Sequence, residues 1–178
     1  MGIVPLSGRR AYIFLTAVAR QGALAPPWPE LRARYADLAP ENQAMLDRLD
    51  PAGLIHHDLE ELQEPAWGNE RVWLLGDAAH GMTPNQGQGA GMAIEDAAAL
   101  ALVLDRQGGH GDYVAARHDR VRRVQLDSRR VGQVAAWRNA LARGLRDLLV
   151  RAMPERTALA QYQGLVAPGL ALAEALRR

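Results

Sequence analysis

The sequence contains neither cysteine nor lysine. Without cysteine the protein cannot form disulfides, iron–sulfur clusters, thiolate nucleophiles or cysteine-ligated zinc sites, and we expect it in the reducing cytoplasm. Because all 21 basic residues are arginine, Schiff-base chemistry and the lysine of a phosphate-binding loop are excluded as well. No apolar run approaches the roughly 18 residues that a membrane-spanning helix needs, so we expect no membrane segment.

The two parts of the sequence carry charge of opposite sign. Residues 1–100 contain 7 arginines against 13 acidic residues, and residues 101–178 contain 14 against 7. Six of these arginines lie between Arg117 and Arg130, which suits a helix that contacts nucleic-acid phosphates. The same segment has apolar residues at helical spacing, which favours a long amphipathic helix with its arginines largely in water and no nucleic-acid partner. These apolar residues are Val114, Val121, Val124, Val131 and Ala135.

The amino-terminal segment predicts a β-hairpin. The run GIVPL is followed by the turn residues Ser7 and Gly8, and then by β-forming residues between positions 12 and 18. The stretch SGRRAYIFLTAVARQG also imitates an export signal, but its apolar part is short and suits a strand better.

Two short helices and a strand are predicted to follow the hairpin. Pro29 predicts the start of the first helix, and residues 40–49 predict the second. Residues 53–65, GLIHHDLEELQEP, predict a strand that leads into a polar loop. Neighbouring residues point to opposite faces of a strand, so His56 and His57 cannot chelate one metal ion, and we expect no metal site.

Residues 71–105 predict a strand, a long loop and a helix. The run RVWLLGD indicates a short buried strand that ends at Gly76, and residues 90–105 have the apolar spacing of a helix. Glu95 and Asp96 are expected near the first turn, where the helix dipole favours carboxylates. The loop does not match the dinucleotide fingerprint G-x-G-x-x-G, because eleven residues separate its first candidate glycine from the strand. The residues expected on the packing face of the helix are Ile94, Ala97, Ala98, Ala101 and Leu104.

This loop has the chemistry to bind a flavin. Asp77, directly after the strand, can accept hydrogen bonds from polyol hydroxyls. Gly87 and Gly89 leave the backbone N–H groups free to contact a flat ring, and the next helix directs its positive end at that ring. A ligand with a polyol chain and a planar head that becomes anionic fits these groups, and a flavin is such a ligand.

The segment GDAAHGMTPNQGQGAGMAIEDAAALALVL resembles the second flavin-binding motif of the FAD-dependent aromatic-ring monooxygenases, the para-hydroxybenzoate and salicylate hydroxylase group. The resemblance implies an α/β fold, the C-terminal portion of such an enzyme, with substrate-domain strands and one FAD-domain strand before a mostly helical half. It implies three regions: residues 1–66 from the substrate-binding sheet, residues 67–106 with the flavin motif, and residues 107–178 as a helical region.

The same resemblance implies a cofactor site and a reaction. Asp77 would hold the ribityl chain of FAD, Pro84 would line the substrate side of the flavin, and backbone groups of residues 87–91 would donate to its pyrimidine edge. NAD(P)H would reduce FAD, and reaction with oxygen would then hydroxylate an aromatic or similar planar substrate. No catalytic side chain is assigned, and His80 is expected to be a hydrogen-bonded packing residue. The implied cofactor-binding residues are Gly76, Asp77, Pro84, Gly87, Gln88, Gly89, Ala90 and Gly91.

The fingerprint that grips the ADP half of FAD in this family is missing from the sequence. We therefore expect a truncated or split C-terminal half that is inactive alone and that pairs with itself or with a companion amino-terminal half. A non-catalytic interaction or regulatory module of the same fold is one alternative, and a basic-helix nucleic-acid binder is another.

Overall fold

The computed structural model describes residues 1–8, 10–23 and 25–177. The chain divides into two compact units, Met1–Asp58 and Leu59–Arg178. Within the described residues, no helix is long and apolar enough to cross a membrane.

The first unit begins with the predicted hairpin. Strands β1 (Gly2–Leu6) and β2 (Arg10–Phe14) pair antiparallel, and Gly8 in the turn has a positive φ of 70°. The second strand ends at Phe14, earlier than the apolar pattern predicts. Arg9, part of the twin arginine in the export-signal pattern, lies outside the described residues.

Both predicted short helices of this unit are present. Helix α1 (Trp28–Ala33) and helix α2 (Pro40–Leu46) each have a proline in the first turn, where the missing N–H costs no hydrogen bond. The second helix is three residues shorter than predicted and ends at the fully buried Leu46.

The strand predicted over residues 53–65 was wrong. A short 3₁₀ turn (Pro51–Gly53) is followed by extended chain that forms no strand within the part of the molecule described. Ile55 is 82% exposed, so the apolar residues of this segment have no sheet to pack against. His56 and His57 are both exposed, and no cluster of metal-binding side chains occurs among the described residues.

The second unit is mostly helical. Its short hairpin of β3 (Gly68–Asn69) and β4 (Val72–Trp73) stands where a longer buried strand was predicted, and Val72 is 57% exposed. The helices that follow are α3 (Asp77–His80), α4 (Gly89–Asp105), α5 (His110–Ala135), α6 (Ala140–Ala152) and α7 (Glu155–Ala175). A 3₁₀ turn (Pro84–Gln86) lies between α3 and α4.

The packing face of α4 differs from the predicted one. Ile94 is 72% exposed, whereas Glu95 and Asp96 are buried with Met92 and Ala99. The helix begins at Gly89 and has no acidic residue in its first turn, so the helix dipole does not account for the two carboxylates. They are buried because α5 supplies arginines opposite them.

Helix α5 packs against α4 through a mixed apolar and polar face. Val121 and Val124 are buried there, as the spacing predicts, whereas Val131 and Ala135 of the same predicted stripe are exposed. The expectation that the arginines mainly face water was wrong, since Arg117 is only 1% exposed. Five of the six arginines between positions 117 and 130 form ion pairs with carboxylates of the same unit, which leaves little of this charge free for phosphates.

Candidate functional site

A glycine turn starts the candidate site. Gly76 is buried and has φ 60° and ψ −145°, a region of backbone space that is almost restricted to glycine. A Cβ at this position would also come within 3.2 Å of the Ala93 Cβ. The turn therefore sets the direction in which Asp77, the first residue of α3, leaves the hairpin.

Asp77 presents a free carboxylate beside the start of α4. The residue is exposed, and a Cβ built on Gly89 would lie 3.8 Å from Asp77 Oδ1. Among the described residues, no donor binds this carboxylate. Gly89 thus leaves room directly beside a carboxylate that can accept hydrogen bonds from a ligand.

The N-terminus of α4 offers backbone donors at the same place. Gln88 precedes the helix and makes no side-chain cap. At the start of the helix, the Met92 N–H donates to Gln88 O at 2.8 Å. A helix leaves its first N–H groups without internal acceptors and has its positive dipole end there. The N–H groups of Gly89, Ala90 and Gly91 are therefore available to a ligand atom that carries negative charge.

One buried carboxylate fixes both ends of α3. Asp96 Oδ2 accepts the Gly76 N–H at 2.9 Å and lies 2.6 Å from His80 Nε2. Asp77 lies between these two anchored residues, so its backbone position is determined by a side chain of α4. His80 is fully buried, in agreement with the packing role expected from the sequence.

Arginines of α5 compensate the buried charge. Arg117 Nε donates to Asp96 Oδ1 at 2.7 Å, and its Nη1 donates to Glu95 Oε2 at 2.9 Å. Arg120 binds the other Glu95 oxygen at 3.0 Å. Burial alone would raise the pKa of Asp96, but hydrogen bonds from His80, the Gly76 N–H and Arg117 together hold that pKa below its ordinary value.

The hydrogen-bonding pattern of His80 selects one tautomer. Its Nδ1 is buried and has no partner among the described residues, whereas Nε2 lies against Asp96. A proton on Nδ1 would be a buried donor without an acceptor, which is costly. A proton on Nε2, donated to Asp96 Oδ2, satisfies the geometry, and we assign a proton to that nitrogen.

A polar stripe along α5 holds the rest of the loop between α3 and α4. Gln125 Nε2 lies 3.5 Å from Gly81 O, at the start of the loop, and Ser128 Oγ donates to Thr83 O at 2.6 Å. One turn further, Gly132 lies against Asn85. These positions on one face of α5 support successive parts of the loop.

The structure brings together most of the residues that the sequence singles out. Gly76, Asp77 and the N–H groups of residues 89–91 surround one region. Pro84 begins the 3₁₀ turn and is exposed, and Gly87 ends that turn with a left-handed φ of 63°. The supporting residues on α5 were not predicted. The signal in the sequence was a pair of adjacent carboxylates in α4 and two arginines three residues apart in a second helix. The supporting residues are Arg117, Arg120, Gln125, Ser128 and Gly132.

This arrangement is that of a protein which holds a flavin at a strand–loop–helix motif. A family model described as "FAD binding domain" matches residues 1–127, and the chain belongs to this family. FAD is the cofactor of the family, and the exposed Asp77 carboxylate beside free backbone donors fits its flavin half. The predicted resemblance to the FAD-dependent aromatic monooxygenases and the predicted α/β fold are confirmed.

Two curated relatives illustrate the similarity. The chain is 35% identical over 185 residues to 2-heptyl-3-hydroxy-4(1H)-quinolone synthase of Pseudomonas aeruginosa, which covers 93% of this chain and 46% of that protein. It is 33% identical over 159 residues to aurachin C monooxygenase/isomerase of Stigmatella aurantiaca, covering 85% and 42%. The chain thus spans about half the length of the curated relatives that it matches.

Solved structures agree with this assignment. A substituted HpxO from Klebsiella pneumoniae complexed with FAD superposes with a TM-score of 0.77 at 28% identity, covering 94% of this chain and 46% of that one. HpxO complexed with FAD and uric acid gives a TM-score of 0.72 at 29% identity, covering 83% and 40%. The described fold is therefore part of an FAD-dependent monooxygenase fold.

Proposed function

We propose that this chain supplies the flavin-binding part of an FAD-dependent monooxygenase that hydroxylates an aromatic or heteroaromatic small molecule. The observation that carries the proposal is the free Asp77 carboxylate beside the uncapped N-terminus of α4. The relatives named above include a monooxygenase and a protein complexed with FAD and uric acid. The uric acid in that complex supports a planar heterocyclic substrate class.

Each part of the loop has a different role in this proposal. Asp77 accepts hydrogen bonds from ribityl hydroxyls, and Gly76 sets its position. The N–H groups of residues 88–91 donate to the pyrimidine edge and stabilise negative charge on the reduced ring. Gln88 contributes backbone rather than side chain, and Pro84 lines the side on which the substrate binds.

The redox chemistry belongs to the cofactor. When bound, FAD would supply the redox chemistry, which is two-electron exchange with NAD(P)H and reaction with oxygen. The protein residues bind and orient it. The Asp96 carboxylate, with its partners Gly76, His80 and Arg117, forms a lock that keeps the Asp77 carboxylate in place without itself touching the ligand. His80 has no role in proton transfer in this proposal, because its Nε2 proton is held by Asp96 in a fully buried site.

We further propose that residues 1–178 hold only the flavin half of FAD. The sequence offers no G-x-G-x-x-G turn before a helix, which is the usual site for the pyrophosphate. Hydrogen bonds to charged groups contribute roughly 1.5–3 kcal/mol each, so the chain alone binds FAD weakly and lacks activity. A companion segment that supplies phosphate donors restores tight binding.

The test is a fluorescence titration of riboflavin and of FAD with this chain. Riboflavin carries the ring and the ribityl chain without phosphates, so we expect the two dissociation constants to agree within about threefold. Asp77→Ala weakens both by about tenfold or more, since it removes a charged acceptor. Asp105→Ala, an exposed carboxylate at the other end of α4, leaves both unchanged.

Two results would contradict the proposal. FAD binding about a hundredfold tighter than riboflavin binding would mean that this chain also holds the pyrophosphate. Equal flavin affinity in the Asp77→Ala and Asp105→Ala variants would show that Asp77 does not bind the flavin.

A further inference from the structure

The 3₁₀ turn that precedes α4 is held by a single amide side chain. Asn85 Nδ2 donates to Thr83 Oγ1 and to the Ser128 carbonyl oxygen, both at 3.0 Å. Ser128 returns a hydrogen bond from its Oγ to Thr83 O at 2.6 Å. Two of these three contacts, from Asn85 to Ser128 O and from Ser128 to Thr83 O, join the turn to α5, and Asn85 and Ser128 are their central residues.

Gly132 makes this contact sterically feasible. It lies one turn after Ser128 on the same face of α5, and a Cβ added there would overlap Asn85 Nδ2. Glycine is unfavourable inside a helix because of its backbone freedom, and this one lies within the long helix α5. The absent side chain is what lets Asn85 reach the Ser128 carbonyl.

We infer that Ser128 and Gly132 form a seat for Asn85 that positions the turn Pro84–Gln86. The meaning of this seat for flavin binding rests on the proposed function. Among the described residues, neither seat residue forms a hydrogen bond with Asp77 or Gly89, so both are positioning residues that act through Asn85 and Thr83.

Asn85, which the seat holds, lies close in sequence to the flavin-facing groups. Gly87 N–H donates to Pro84 O at 2.9 Å, which closes the turn, and Gly89 starts α4 two residues later. Displacement of Asn85 therefore shifts Pro84 on one side and the approach to the backbone donors of α4 on the other. The helix α5 thereby sets the position of the loop between α3 and α4.

Gly132→Ala tests the inference, with Gly111→Ala as the matched control. Both glycines lie in α5, and a Cβ at Gly111 would meet no atom within 4 Å. Alanine favours a helix over glycine, so a purely helical role predicts equal or greater protection in both variants. The seat predicts instead that amide hydrogen exchange at Gly87 becomes about tenfold faster in Gly132→Ala alone, equivalent to about 1.4 kcal/mol.

A double-mutant cycle separates the seat from general loosening of the fold. Asn85→Ala alone is expected to speed exchange at Gly87 as Gly132→Ala does, and the two changes together add nothing further because they act on one contact. Unchanged exchange in Gly132→Ala, or full additivity with Asn85→Ala, would overturn the inference.

The flavin link is tested separately from the seat. The exchange experiment contains no flavin, so failure of the proposed function leaves its result intact. In riboflavin titrations Gly132→Ala is expected to weaken binding by about tenfold, and Gly111→Ala is expected to have no effect. Faster exchange without any change in flavin affinity would overturn the link between the seat and the flavin site.

Discussion

Asp96 is the residue on which the loop depends most. Its two oxygens accept hydrogen bonds from the Gly76 backbone, His80 and Arg117, which belong to three different parts of the second unit. A buried carboxylate without such partners would be strongly unfavourable. Here the charge is retained because a single side chain can fix the backbone on both sides of Asp77.

Replacing Asp96 by Asn should destabilise the fold in a pH-dependent way. Because the native contacts lower the pKa of Asp96 below the ordinary value of 3.8, the stabilisation is fully present above that pH and is lost as the pH falls through the native pKa. We expect Asp96→Asn to lower the free energy of unfolding by about 3 kcal/mol near neutral pH. The difference from the unmodified protein should shrink in strong acid.

Urea unfolding at a series of pH values measures this difference. Asp105→Asn, which changes an exposed carboxylate on the same helix, serves as the control and should behave like the unmodified protein. A difference for Asp96→Asn that stays constant from neutral pH into strong acid would contradict the account of the buried charge.

At the scale of elements, two glycine turns bracket the loop and differ in backbone conformation. Gly76 has φ 60° and ψ −145°, which only glycine adopts readily, whereas Gly87 has φ 63° and ψ 27°, a left-handed conformation that asparagine tolerates. We expect Gly76→Asn to cost about 2 kcal/mol more than Gly87→Asn. Thermal unfolding of the two variants compares them, and equal losses of stability would show that the Gly76 turn is not strained.

Local sequence signals predicted the elements but not the polar contacts between them. Proline positions located α1 and α2, and the glycine run followed by small apolar residues located α4. The short apolar run after Arg71 predicted a buried strand, but only Val72 and Trp73 form strand pairs, and their partner strand is two residues long. Strand length depends on a neighbouring strand, which a single stretch of sequence does not reveal.

The candidate site was also predictable only in part, because local sequence signals do not reveal contacts between distant residues. Asp77 and the glycines are contiguous in sequence, and their chemistry can be read from the motif. The lock and the seat join residues from α4 or the loop to residues of α5 that are 20 or more positions away, such as Arg117 with Asp96. The helical periodicity of α5 predicted that its arginines face water, whereas the structure shows that Arg117 is buried.

At the scale of the whole molecule, apolar side chains remain exposed in both units. Examples are Tyr12 on the first hairpin, Val72 on the second hairpin and Leu141 on α6. Exposed hairpin edges and apolar surface favour association with another chain. We predict that the chain does not persist as a lone monomer, and that it pairs with itself or with a companion segment.

Sedimentation velocity at micromolar concentration tests the prediction of association. The expected result is a species heavier than one chain, or a chain that becomes compact only when a companion segment is added. A compact and cooperatively folded monomer without any companion would contradict it.

The central claim, that residues 76–91 hold the flavin half of FAD, is tested most directly by mapping amide chemical shifts of this chain during a riboflavin titration. Weak binding suffices, because the map reports location rather than affinity. The account predicts that the largest shifts occur at Asp77 and at the amides of Gly87, Gly89, Ala90 and Gly91, and that Asp77→Ala reduces them while Asp105→Ala does not. Shifts concentrated on the exposed surfaces of α6 and α7, with the amides of residues 76–91 unmoved, would contradict it.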